Sequence, residues 1–181
     1  MTDQTILNDN HWVARELGGS YIATTWLSVR FFDMHTIERQ VVLRAPRSRV
    51  WNALTDIKKF CEWFGVDAVE GVFQPGAKVR LRAPPQYGGD FDLTVEQMQP
   101  EHLFTWRWHP GARDASVDYE KEPTTLVVFK LADAEGGTLL TITESGFDAI
   151  SLARRARVFG DNSEGWTEQV KNLERYVSQA S

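Results

Sequence analysis

Between Lys78 and Glu144 the chain repeats one pattern, in which charged or polar residues alternate with apolar ones. Lys78-Val79-Arg80-Leu81-Arg82 does so strictly, as does Asp90-Phe91-Asp92-Leu93-Thr94-Val95-Glu96. Phe104, Trp106 and Trp108 alternate in the same way with Thr105 and Arg107. A period of two belongs to a β-strand, whose successive side chains point to opposite faces. Lys78, Arg80, Arg82, Arg107 and Lys130 must sit in water, so their neighbours point inward. The charges of the first two runs, set opposite one another, predict a cross-strand ladder of ion pairs on the wet face. The result is an antiparallel sheet, solvated on one side and strongly aromatic on the other, which needs a cover over its apolar face.

The end of the chain supplies that cover. Trp166, Val170, Leu173 and Val177 recur at helical steps, with Glu164, Glu168, Lys171 and Glu174 on other faces. Asp161 followed by Glu164 has the spacing of a capping box, which predicts that the helix starts there. From Ser145-Gly146-Phe147 to Asp161 the pattern is ambiguous, and it includes a short basic run of Arg154, Arg155 and Arg157. Towards the start, residues 36–44 read as a strand with Ile37, Val41 and Leu43 on one face and Arg39 interrupting it. Ala45-Pro46 ends that strand, and proline suits the first turn of a helix over 47–54. Thr55 or Asp56 can cap a second short helix, whose Ile57, Phe60, Cys61 and Phe64 share a face and which Gly65 can stop. Further strands are predicted over 103–109, 124–131 and 138–144, with turns at Pro75-Gly76, Gln99-Pro100-Glu101 and Glu135-Gly136-Gly137. The polar stretch 109–123 is long enough to act as a lid. The order is β-α-α, five or six antiparallel strands, then a long helix, which is an α+β arrangement. Residues 36–181 read as one domain; residues 1–35 give no regular pattern and read as an N-terminal extension of uncertain structure.

Composition removes several classes of function. The chain of 181 residues has the size of one domain, and its 20 basic against 25 acidic side chains leave a net charge of −5, which argues against a nucleic-acid partner. No apolar run approaches the ~18–20 residues of a membrane-spanning helix, and the first residues do not read as a signal peptide, so a cytoplasmic location without membrane contact is expected. The single cysteine, Cys61, excludes an internal disulfide and lies where a small hydrophobe would. His11, His35, His102 and His109 lack metal-ligand spacing; His102 and His109 would stand about 23 Å apart on an extended strand. No nucleophile elbow, phosphate-binding loop or dinucleotide fingerprint is present, so neither metal nor cofactor is expected.

The runs LRAPRSRVWNALTDIKKFCEWFG, PEHLFTWRW and TTLVVFKLADAEGGTLLTITESGF, followed by GW-x3-V-x2-L-x2-YV, together resemble the START-like, or SRPBCC, superfamily. Within it they resemble the family of homologues of the activator of heat shock protein 90 ATPase. The resemblance covers residues 36–181. It implies a helix-grip fold, in which a curved antiparallel sheet wraps the C-terminal helix and leaves a cavity between them. A sheet bent around one helix cannot close its core at both ends, and stiff aromatic rings fill curved space poorly. The candidate ligand-binding residues are therefore Trp63, Phe64, Leu81, Phe91, Phe104, Trp106, Trp108, Phe129, Glu144 and Trp166. Glu144 falls on the inward face with Leu140 and Ile142. It reads either as a polar contact or proton acceptor in the cavity, or as a strand-end residue reaching solvent or pairing with an arginine; the second is the commoner fate of a carboxylate. Arg39 reads either as a partner for an anionic ligand group or as an edge-strand residue.

The leading functional reading is a non-catalytic binding protein that encloses a small hydrophobic or aromatic molecule. Three alternatives accompany it. One is an enzyme of the cyclase, dehydratase or hydrolase type, with Glu144 as acid or base helped by Tyr119 or His109. The others are a chaperone-interaction module and a self-resistance protein that sequesters a toxic metabolite. Besides the small molecule, the expected partners are a chaperone or a second copy of the chain.

Overall fold

The computed structural model describes residues 35–85, 89–111 and 117–179. The expected N-terminal extension lies, apart from His35, outside the described residues. Strand β1 (Thr36–Leu43) leads into helices α1 (Arg47–Thr55) and α2 (Ile57–Phe64). Strands β2 (Ala68–Glu70), β3 (Lys78–Arg82), β4 (Phe91–Gln99), β5 (Leu103–Trp108), β6 (Thr125–Ala134) and β7 (Gly137–Ser145) follow, and helix α3 (Leu152–Gln179) closes the order. The seven strands form one curved antiparallel sheet in the order β1-β7-β6-β5-β4-β3-β2. Strands β2 to β7 thus run as a meander, and β1 returns beside β7.

Local chemistry accounts for the joints. Pro46 precedes the first turn of α1, Asp56 caps α2 by accepting from the Lys59 N–H at 3.1 Å, and Gly65 stops α2 with φ 81°. The tight turn into β7 needs a glycine, because a Cβ on Gly137 would lie 2.0 Å from the Leu43 carbonyl oxygen. A bulge between Val95 and Gln97 bends β4, and Thr105 accepts the Gln97 N–H that the bulge frees.

The two-residue alternation appears as expected on the wet face. Lys78 and Arg80 pair with Asp92 at 3.6 and 3.2 Å, and Arg82 bridges Glu70 and Asp90. The guanidinium of Arg82 holds the Asp90 carboxyl below the usual carboxylate range. Glu96 departs from the expected ladder, turning to Arg107 on the other neighbouring strand at 3.3 Å.

Helix α3 differs from expectation in where it begins. Asp161 lies inside the helix rather than at its cap, because the helix starts at Leu152. Its first turns bury little beyond Val158, so they carry no apolar period. They are fixed instead by polar contacts: Arg154 to Glu122, and Arg155 to the carbonyls of Asp148 and Ile150. Farther along, Trp166, Leu173 and Val177 are buried against the sheet. Arg39 clasps the helix by donating to Thr167 at 3.1 Å and Ser163 at 2.7 Å, and β1 is an edge strand. No helix among the described residues is long and apolar enough to cross a membrane.

The core is unusually rich in rings. Phe60 stacks on Phe64 at 4.6 Å between ring centres, and Trp106 meets Phe129 at 4.8 Å. Contacts of Trp106 with Phe60, Phe64, Phe104, Trp108 and Trp166 join α2 and α3 to the sheet. Such pairs add about 0.5–1.5 kcal/mol each beyond the area they bury.

Candidate functional site

Register brings the polar centre of the molecule together. Trp108 ends β5 opposite Thr125, the first residue of β6, and Glu144 stands near the end of β7 opposite Val127. One end of the sheet therefore presents Trp108, Thr125 and Glu144 side by side. Asn162 and Trp166, one turn apart on α3, lie against them.

Glu144 is fully buried and accepts five hydrogen bonds from four side chains. Its Oε1 accepts from Trp108 Nε1 at 2.8 Å, Thr125 Oγ1 at 2.6 Å and Asn162 Nδ2 at 2.9 Å. Its Oε2 accepts from Trp166 Nε1 at 2.6 Å and from the same Asn162 amide at 3.0 Å. None of these donors carries a charge. The carboxylate neither reaches solvent nor pairs with an arginine. With its acceptor sites taken up in this way, it fixes two indole rings and an amide in place.

Above this centre lies a cleft of about 420 Å³ between the sheet and α3. Four rings line it in a closed circuit: Phe64 to Phe91 at 6.4 Å, Phe91 to Trp108 at 5.5 Å, Trp108 to Trp166 at 5.8 Å, and Trp166 back to Phe64 at 6.4 Å. Val66, Ala83 and Pro110 extend the apolar wall, and α3 contributes Asp161, Asn162, Glu168, Gln169 and Asn172 as a polar side. Gly165 leaves room along the wall where a side chain would stand. Gln169 ties the helix to the end of α2 through the Phe64 carbonyl at 2.9 Å. His109 also lines the cleft, and its Nδ1 is buried without a hydrogen-bond partner among the described residues.

Of the ten candidate residues, Phe64, Phe91, Trp108 and Trp166 line the cleft, and Glu144 lies directly behind it. Phe104, Trp106, Phe129 and Leu81 are fully buried in the core, and Trp63 is spent on tying α2 to the Ala53 carbonyl of α1 at 2.7 Å. Asn162 and Thr125 were not among the candidates. Neither type signals a site by itself; they become visible only once Glu144 is known to be buried and to need donors. The stretch considered as a lid lies partly outside the described residues, at 112–116; Gly111 reaches the cleft and Tyr119–Lys121 form a short 3-10 turn. Among the described residues no group of three or more His, Cys, Asp or Glu is placed to hold a metal ion.

Comparison with known proteins agrees with this architecture. The fold resembles that of protein MLL2253 from Mesorhizobium loti, with TM-score 0.65 and 22% identity over 81% of this chain and 98% of that one. The Aha1 dimer from Colwellia psychrerythraea gives TM-score 0.63 and 17% identity over 80% and 96% of the two chains. DynU16, from the dynemicin biosynthetic locus, gives TM-score 0.62 and 24% identity over 80% of this chain, which spans 48% of that longer one. No curated protein matches the sequence. Residues 44–178 match the family described as Activator of Hsp90 ATPase homolog 1-like protein, so this helix-grip chain, most of which lies within that match, belongs to that family.

Proposed function

We propose that the protein is a binding protein that encloses a small, largely apolar or aromatic molecule in the cleft between sheet and α3. The reading is carried by the continuous wall that Phe64, Phe91, Trp108 and Trp166 form along a cleft of about 420 Å³. That size suits a small ligand, since such sites run to about 300–1,000 Å³ and combine apolar walls with a few fixed polar groups. Pre-set rings favour binding because little side-chain freedom remains to be lost. Glu144 supports a non-catalytic role, being committed to positioning rather than open to a substrate proton.

The reading predicts saturable quenching of tryptophan fluorescence by at least some members of a panel of small aromatic compounds, with one molecule bound in native mass spectra. Phe91→Ala removes one wall of the circuit without touching Glu144 and should weaken binding about tenfold. Absence of saturable binding across the panel, or unchanged affinity in Phe91→Ala, overturns the proposal.

One observation favours a second reading. His109 places an imidazole on the cleft wall, a group of the kind that general acid–base catalysis uses. Conversion of a bound panel compound, abolished by His109→Gln with binding retained, would establish it.

A further inference from the structure

The charges around the cleft bear on what it binds. Among the described residues its lining contains two carboxylates, Asp161 and Glu168, and no lysine or arginine. Glu168 is shared with Lys171 at 2.7 Å, whereas Asp161 is exposed at the rim. A third carboxylate, Glu144, lies behind the wall, fully buried and held only by neutral donors. Arg39, the basic side chain read from the sequence as a partner for an anionic group, is engaged by Ser163 and Thr167.

The rings add to the same sign. The face of an aromatic ring carries negative potential, and a cation within about 6 Å of its centre is attracted to it, tryptophan being the strongest partner. Trp108 and Trp166 both donate their N–H to Glu144, at 2.8 and 2.6 Å. Donation to a carboxylate polarises an indole, shifting electron density into the ring and deepening the attraction of its face for a cation. Two such indoles stand 5.8 Å apart, with Phe64 and Phe91 completing the circuit.

We infer that the cleft selects a small organic cation: an apolar or aromatic body bearing an ammonium group, seated against Trp108 with Trp166 behind it. This rests on the binding reading above and adds the ligand's charge to it. An anionic ligand would meet Asp161 and Glu168 and, among the described residues, no basic side chain in the lining.

A matched pair of ligands tests the inference on the unaltered protein. Benzyltrimethylammonium and neopentylbenzene have nearly the same shape and differ in charge, and the neutral one is the more hydrophobic. Titration followed by tryptophan fluorescence should give the cation at least about tenfold tighter binding, a preference that cation–π contacts of this kind can supply. Asp161→Asn, an exposed change outside the hydrogen-bonded centre, should narrow the gap about two- to fivefold by weakening the cation alone. If the neutral compound binds as well or better, the cation inference fails while the binding reading stands. An unchanged gap in Asp161→Asn overturns the part assigned to the rim charge. If neither compound binds, the binding reading fails with it.

Discussion

Glu144 faces two indoles, a threonine and an amide, and every one of them presents a hydrogen to it. Glu144→Gln keeps the volume but replaces one acceptor oxygen with an NH₂ group. That group must face either the Trp166 side or the Trp108–Thr125 side, where donors already point. At least one buried donor then loses its acceptor, at about 1–3 kcal/mol each. We expect Glu144→Gln to lower stability by roughly 2–4 kcal/mol, read as a drop in the denaturant midpoint at constant slope. An unchanged midpoint would mean that the hydrogen bonds at this centre contribute nothing net to folding. Half of this arrangement is legible in the sequence. Alternation along Leu140, Ile142 and Glu144 assigns the carboxylate to the inward face. It does not supply the partners, since Thr125 and Asn162 come from distant parts of the chain and meet Glu144 only through strand register and the path of α3.

Among the elements, α3 shows how a strong signal can hide a longer one. Its last turns bury Trp166, Leu173 and Val177 and so display a helical period. Its first turns bury only Val158, carry the basic run from Arg154 to Arg157, and contain Gly160. Nothing there requires an apolar stripe, so sequence periodicity falls silent although the helix continues. The polar anchors that hold these turns, Arg154 on Glu122 and Arg155 on the carbonyls of Asp148 and Ile150, leave no periodic trace. Gly160 lies within the helix, and a Cβ there would meet nothing within 4 Å. Because glycine costs a helix interior about 0.5–1 kcal/mol relative to alanine, Gly160→Ala should stabilise the protein by that amount. Chemical denaturation checks this, and a loss of stability would show that the early turns of α3 are not helical in solution.

For the molecule as a whole, alternation and charge together disclose the sheet, its wet face and the helix that covers it, because each rests on a local period. The cleft is harder to read. Trp106 and Trp108 share one face of β5, yet Trp106 is sealed in the core and only Trp108 reaches the cleft. A period of two assigns a side chain to a face of the sheet, not to a distance from its open end. The room itself depends on residues without side chains, Gly165 above all: it lies in α3, lines the cleft, and has no atom within 4 Å of where a Cβ would be. A leucine there would project into the cleft without displacing its neighbours, and it would remove a helix-interior glycine. Gly165→Leu should therefore raise the melting temperature of the free protein by roughly 1–4 °C, following a gain of about 0.5–1 kcal/mol. It should at the same time abolish the further rise that a ligand produces by binding only the folded state. Stability and binding would then move in opposite directions in one variant, as expected if the opening beside α3 is kept at some cost to the fold. A leucine variant that is more stable and still binds as the native chain does would locate the ligand elsewhere.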